Sequence, residues 1–202
     1  MKTLVIVDVQ NDFMPAGALA VPGGDDIVPV INGIQHRFDL IVVTQDWHPP
    51  GHASFASSHD ASEPFEQIEL NGKPQTLWPD HCVQGTKGAA FHTELDLNRV
   101  AAIVRKGMNQ QVDSYSGFFD NDHQHRTGLA GYLKEMEASE LYICGLAAEI
   151  CVAYTARDAA KLGFAVSLIE DATRPLEQQA FEDMKQELRS IGVQTISVSD
   201  IG

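Results

Sequence analysis

Positive charge is scarce in this chain. Lysine and arginine total 14 against 28 acidic residues, a net charge of −14. A surface of that sign repels phosphate backbones and anionic lipid, which argues against nucleic acid or membrane as a partner. No apolar run reaches the roughly 20 residues that a membrane-spanning helix needs. No leader pattern opens the sequence either. Met1-Lys2 runs straight into a strand, so no signal peptide is expected. Cysteine is sparse: Cys82, Cys144 and Cys151 are odd in number and form no Cys-x-x-Cys pair. That is not a disulfide framework, and a reducing cytoplasm is the expected setting. Glycine-rich phosphate loops, a G-x-G-x-x-G pattern, internal repeats and low-complexity tracts are all missing.

What is present has the balance of a globular protein: 202 residues, 44% hydrophobic and 21% charged. The length suits one ordinary domain, expected over 1–202, and leaves a homo-oligomer open. Thr3–Val7 and Leu40–Thr44 are continuous apolar, β-branched runs of the kind buried on both faces of a parallel sheet. Further strands are expected at Val100–Val104, Leu141–Cys144, Phe164–Ile169 and Val193–Ile196. Helices are expected over Asp25–Phe38, Arg126–Ala138, the stretch from Cys151 to Leu162, and Leu176–Ile191. Ala53–Gln75 carries no sustained period and reads as a long covering loop. Alternating strands and helices define an α/β fold, a doubly wound, mostly parallel sheet with helices on both faces.

In such sheets, ligands sit beyond the carboxyl ends of the strands. Asp8 ends the first strand, Lys106 follows the third, and Cys151 lies where the fourth strand turns into a helix. A thiol in the first turn of a helix is expected to have a lowered pKa, and nearby N–H groups can hold an oxyanion. The plainer alternative is a buried cysteine filling the junction. Acid, amine and thiol together suit amide hydrolysis. Asp8 takes the thiol proton and returns it to leaving ammonia, Lys106 keeps Asp8 ionised, and N–H groups near Ala147 and Cys151 hold the oxyanion. A second cluster starts with Asp46 and His48, which alternate with Trp47 and so point the same way in extended backbone. A carboxylate and an imidazole suit a divalent transition metal, and a third ligand is needed. His52, His59 and His81 are candidates; His81, just after Trp78-Pro79-Asp80, is the one selected.

Val5-Ile6-Val7-Asp8-Val9-Gln10-Asn11-Asp12-Phe13, Gln45-Asp46-Trp47-His48-Pro49, Trp78-Pro79-Asp80-His81-Cys82-Val83, Arg105-Lys106-Gly107 and Gly145-Leu146-Ala147-Ala148-Glu149-Ile150-Cys151-Val152 resemble the nicotinamidase branch of the isochorismatase-like hydrolases. The resemblance covers essentially the whole chain in the same order. It implies a catalytic triad of Asp8, Lys106 and Cys151, and a metal on Asp46, His48 and His81. Zinc is the expected ion, with iron or manganese as alternatives. It implies a cis peptide between Leu146 and Ala147 that aims N–H groups at the oxyanion. It also implies nicotinamide as the small-molecule substrate, its ring enclosed by Phe13, Trp78 and Tyr115 and its nitrogen toward the metal. Metal-bound water is implied as the second nucleophile, and salvage of NAD as the setting. Two positions depart from the family pattern, Ala148 and Glu149, where threonine and aspartate are common. Other readings are a relative acting on a ureido, carbamoyl or pyrazinamide-like amide, or a zinc-stabilised binding protein without turnover.

Overall fold

Two apolar runs form the centre of the sheet. The strand β1 (Lys2–Val7) pairs in parallel with β2 (Leu40–Asp46), Thr3 opposite Leu40 and Ile6 opposite Val43. The computed structural model describes residues 1–202. Outside this pair lie β5 (Ala102–Lys106) on one side and β6 (Glu140–Gly145), β7 (Ala165–Thr173) and β8 (Gln194–Ile196) on the other. The order is β5-β2-β1-β6-β7-β8, and every pairing in this six-stranded sheet is parallel. The chain reverses its direction of travel between β1 and β6. Their carboxyl ends therefore border the crevice where such folds bind ligands.

The two faces are read off the strand alternation. Leu4, Ile6, Ile41 and Val43 pack with helix α1 (Ile27–Ile34) on one side. Val5, Val7, Leu40 and Val42 pack on the other with α2 (Leu129–Glu135), α3 (Ala153–Lys161) and α4 (Gln178–Ser190). Both faces of β1 and β2 are thus dry, which is why neither strand shows the alternating pattern of a half-exposed one. No helix is long and apolar enough to cross a membrane.

Several expected boundaries move. The third strand of the large sheet is Ala102–Lys106, so Lys106 lies within the strand, opposite Asp46, and not beyond its end. The helix expected over Arg126–Ala138 is confined to Leu129–Glu135. The supposed loop Ala53–Gln75 holds part of a two-stranded ribbon, β3 (Gln67–Leu70) and β4 (Lys73–Thr76), closed by Asn71-Gly72. Asn71 and Gly72 both have positive φ, 54° and 77°, the signature of a two-residue hairpin turn.

One glycine is fixed by the close approach of β6 to β1. Gly145 has φ of 118°, and a Cβ there would stand 2.0 Å from the Val7 carbonyl oxygen. Gly145→Ala is expected to cost more than about 2 kcal/mol, read as a lowered urea midpoint; an unchanged midpoint would contradict this packing.

Candidate active site

Asp8 and Asp46 reach the crevice from neighbouring strand ends, and Lys106 meets both from β5. Its ammonium lies 2.9 Å from Asp8 Oδ2 and 2.6 Å from Asp46 Oδ1. It also donates to the Ser114 carbonyl at 2.9 Å and lies 3.4 Å from Cys151 Sγ. Thr44 Oγ1 donates to Asp8 Oδ1 at 2.7 Å. Asp8 is fully buried, Lys106 2% exposed and Cys151 7% exposed, so these charges act with little water between them. One oxygen each from Asp8 and Asp46 and the sulfur of Cys151 lie within 4.8 Å of one another.

Cys151 does not sit in the first turn of an α-helix. It belongs to a π-helical turn, Ala148–Val152, that precedes α3. The expected lowering of its pKa is overturned as well. Burial pushes the thiol well above the ordinary range; Lys106 pulls it down, but Asp8, Asp46 and Asp113 add to burial. Asp8 is raised too, chiefly by burial and secondarily by Asp46, against the pull of Lys106. Lys106 therefore does not hold Asp8 in the usual carboxylate range. For Lys106 itself burial opposes the charge, but Asp46 and Asp8 outweigh it and keep the ammonium charged. Burial thus favours the neutral form of both groups, and both lie against the Lys106 ammonium, Asp8 at 2.9 Å and Cys151 at 3.4 Å. The Leu146–Ala147 peptide is cis, and the N–H of Ala147 donates to no group of the chain.

The second cluster is built by two segments running side by side. The N–H of His48 donates to the Cys82 carbonyl at 3.0 Å, which brings His81 against His48 with ring centroids 5.0 Å apart. His48 Nδ1 contacts the Gly107 carbonyl at 3.0 Å and His81 Nδ1 the Pro79 carbonyl at 2.8 Å. Each imidazole then donates from Nδ1 and leaves Nε2 as a bare acceptor, the arrangement of metal-ligating histidines. Those Nε2 atoms lie 3.6 Å and 3.8 Å from Asp46 Oδ2. His48 Nε2 is buried with no hydrogen-bond partner. An orphaned nitrogen beside a carboxylate and a second imidazole fits a divalent metal. Burial, reinforced by His48, holds His81 down to about 4, so its ring is neutral and ligand-ready at neutral pH. At His48 burial is outweighed by Asp46 and the pKa is raised. At Asp46 burial opposes the charge, but Lys106, His48 and His81 prevail and keep the carboxylate ionised. His52 sits beside His48, yet both its nitrogens are engaged, by Ser54 Oγ and the Asn109 carbonyl, each at 2.8 Å. His59 is tied to the Ala53 carbonyl instead.

Cys151, Asp46 and His81 open into one mostly apolar slot, also lined by Phe13, Trp78 and Tyr115. Trp78 Nε1 donates to the Tyr115 hydroxyl at 3.2 Å, which locks these two walls together.

Residues 2–200 match the isochorismatase domain. The chain belongs to the isochorismatase family. Among its relatives, a nicotinamidase of Acinetobacter baylyi is 49% identical over 98% of this chain and 93% of its own. An Acinetobacter baumanii nicotinamidase/pyrazinamidase superposes with a TM-score of 0.97 at 46% identity, covering 100% of this chain and 98% of the other. A Pyrococcus horikoshii pyrazinamidase in complex with zinc gives 0.79 at 38% identity, covering 97% and 98%.

This isochorismatase-family site has supports that the sequence reading missed. Gln10 lies fully buried and mimics a strand residue. Its amide accepts from the Asp46 N–H and donates to the Asp46 carbonyl, both at 2.8 Å. Asp12 Oδ2 accepts from the Cys82 N–H at 2.7 Å and so holds the His81 segment. Asp113 lies 4.0 Å from His48 Nε2 and lines the slot with Leu19, Ile150 and Leu176. Gln10 and Asp12 stood inside a quoted motif, which was signal enough; Asp113 lies in an aperiodic loop with none.

Two outcomes follow from this geometry. Lys106→Met leaves two buried carboxylates without their counter-charge and is expected to destabilise the metal-free protein by about 3–5 kcal/mol in urea. A loss well under 1 kcal/mol would mean that the ammonium is not their common support. Gly107→Ala places a Cβ 2.4 Å from His48 Cε1. It is expected to weaken metal affinity about 10–100-fold in chelator competition, and undiminished affinity would remove His48 from the ligand set.

Proposed function

We propose that this protein hydrolyses nicotinamide to nicotinate and ammonia, with Cys151 as nucleophile. The observation that carries the reading is the meeting of Asp8, Lys106 and Cys151 with Asp46, His48 and His81 behind one apolar slot, which Cys151, Asp46 and His81 line. The relatives' activity and the presence of zinc in one of them support it.

Phe13, Trp78 and Tyr115 sandwich the flat ring and exclude water from the carboxamide. Asp8 accepts the Cys151 proton as sulfur attacks the carboxamide carbon. The negative charge that develops on the carbonyl oxygen is met by backbone N–H groups of the Ala147–Cys151 turn. Asp8 then hands its proton to the departing nitrogen, and ammonia leaves a thioester on Sγ. Water, with Asp8 as base, cleaves the thioester, releases the carboxylic acid and restores the thiol. Lys106 stays protonated throughout and steadies whichever of Asp8 and Cys151 carries the negative charge. Asp46, His48 and His81 would hold a divalent ion, zinc by preference, whose chemistry is that of a Lewis acid able to receive the pyridine nitrogen. Nicotinate production fits a place in NAD salvage, and a cytoplasmic setting keeps Cys151 reduced.

The test is ammonia release from nicotinamide by the protein as isolated, after chelation, after metal return, and with Cys151→Ala. Turnover should vanish on chelation and come back with metal. The variant should lose at least about 10³-fold in kcat. Activity that survives chelation would remove the metal from the reading, and a working Cys151→Ala would remove the thioester.

A further inference from the structure

The turn that carries the nucleophile also carries a carboxylate which the chemistry above leaves unused. Glu149 lies two residues before Cys151 and is only 7% exposed. A carboxylate buried that far needs hydrogen bonds. Both its oxygens are consumed by the loop between β7 and α4. Oε2 accepts from the Leu176 N–H at 3.2 Å, and Oε1 from the Glu177 N–H at 2.7 Å. The same two segments are tied twice more. The Ala148 N–H donates to the Arg174 carbonyl at 2.9 Å, and the Thr173 hydroxyl donates to the Gly145 carbonyl. Beyond the joint, the Glu177 carboxylate caps α4 through the Gln179 and Ala180 N–H groups.

The consequence for the slot is direct. Leu176 is one of its walls, and Ile150 and Cys151 are others, while Glu149 itself does not line it. The Glu149 carboxylate therefore fixes the distance between a wall and the nucleophile without facing the ring. Of the three ties, it is the one that reaches Leu176 itself. The other two hold the loop at Thr173 and Arg174, short of the wall residue, which otherwise rests on side-chain packing alone.

We propose that Glu149 is a positioning residue for substrate specificity. By clamping the Leu176 and Glu177 N–H groups it sets the width of the slot for a flat, six-membered aromatic amide, so that the carboxamide lies over Cys151. This rests on the amidase reading above. The joint acts on how the ring is bound and leaves proton transfer untouched, so its loss should appear in KM and not in kcat.

The experiment compares wild type, Glu149→Gln, Leu176→Ala and the double variant, all metal-loaded, with nicotinamide as substrate. Alongside, each is treated with iodoacetamide, a reagent without a ring, and labelling of Cys151 is followed by mass spectrometry. Glutamine keeps one acceptor and cannot receive the second N–H. It is expected to raise KM about tenfold while kcat and the alkylation rate stay within about twofold. Leu176→Ala should raise KM similarly, and the double variant should be no worse than the poorer single one, because both act through one wall. Circular dichroism checks folding. If Glu149→Gln does not fold, Leu176→Ala decides alone, since it leaves the clamp intact: a raised KM sustains the wall and an unchanged KM overturns it. An unmoved KM in a folded Glu149→Gln overturns the proposal. So does a fall in kcat and alkylation rate at constant KM, which would put Glu149 in the service of the thiol. Wild-type protein without turnover would take down the amidase reading and this inference together. A working wild type beside an unmoved variant takes down the inference alone.

Discussion

One ammonium organises this molecule. Lys106 is almost wholly buried, and a lone charge there would not survive in a folded protein. It survives because Asp8, Asp46 and the Ser114 carbonyl all receive it. The dependence runs both ways, since two carboxylates from adjacent strands could not stand this close without it. Each partner comes from a different part of the chain: the end of β1, the end of β2, and the loop after β5. The ammonium is therefore the point at which the sheet, its covering loop and the Cys151 thiol are held in register.

The cluster of Asp46, His48 and His81 is held by different forces. Its imidazoles are aimed by main-chain carbonyls of Gly107 and Pro79, and its carboxylate is steadied by Lys106 on the opposite oxygen. Asp46 thus belongs to both clusters, Oδ1 to the ammonium and Oδ2 toward the imidazoles. Gln10 grips the main chain of the same residue. Any shift of Asp46 would move both clusters together, which couples two groups that the sequence presents as separate motifs.

The central architecture was legible because β1 and β2 are unbroken apolar runs with no other home than a sheet covered on both sides. Asp8 and Asp46 were legible for a related reason: each ends one of these runs, at the sheet edge where such folds place their ligands. The end of β5 was less so. Arg105 and Lys106 are charged, and a charged residue at a strand end ordinarily faces water, so the apolar pattern alone carries the strand only to Val104. The buried partners that allow Lys106 to continue the strand are far away in sequence. The ribbon of β3 and β4 escaped because its residues are largely polar and exposed, although Asn71-Gly72 advertised the turn. The thiol's raised pKa was out of reach of local reasoning. Position near a helix start lowers it, but depth of burial and three surrounding carboxylates are tertiary facts. In the sequence Glu149 is only a departure from the family pattern beside the nucleophile. Only the folded loop shows where its oxygens go.

The sheet order also bears on how the chain reaches this state. β1 is made first, yet one of its two edges is closed by β6, with Lys2 opposite Glu140. While the chain emerges, β1 can pair with β2 and later support β5, but its other edge stays open until β6 arrives. That edge is a Val- and Ile-rich strand with unsatisfied amides, the kind that associates with other chains. Closing a sheet at so large a separation in sequence is slow. The centrality that places Asp8 in the middle of the site therefore makes the amino-terminal strand a segment that a nascent chain has to shield for longest.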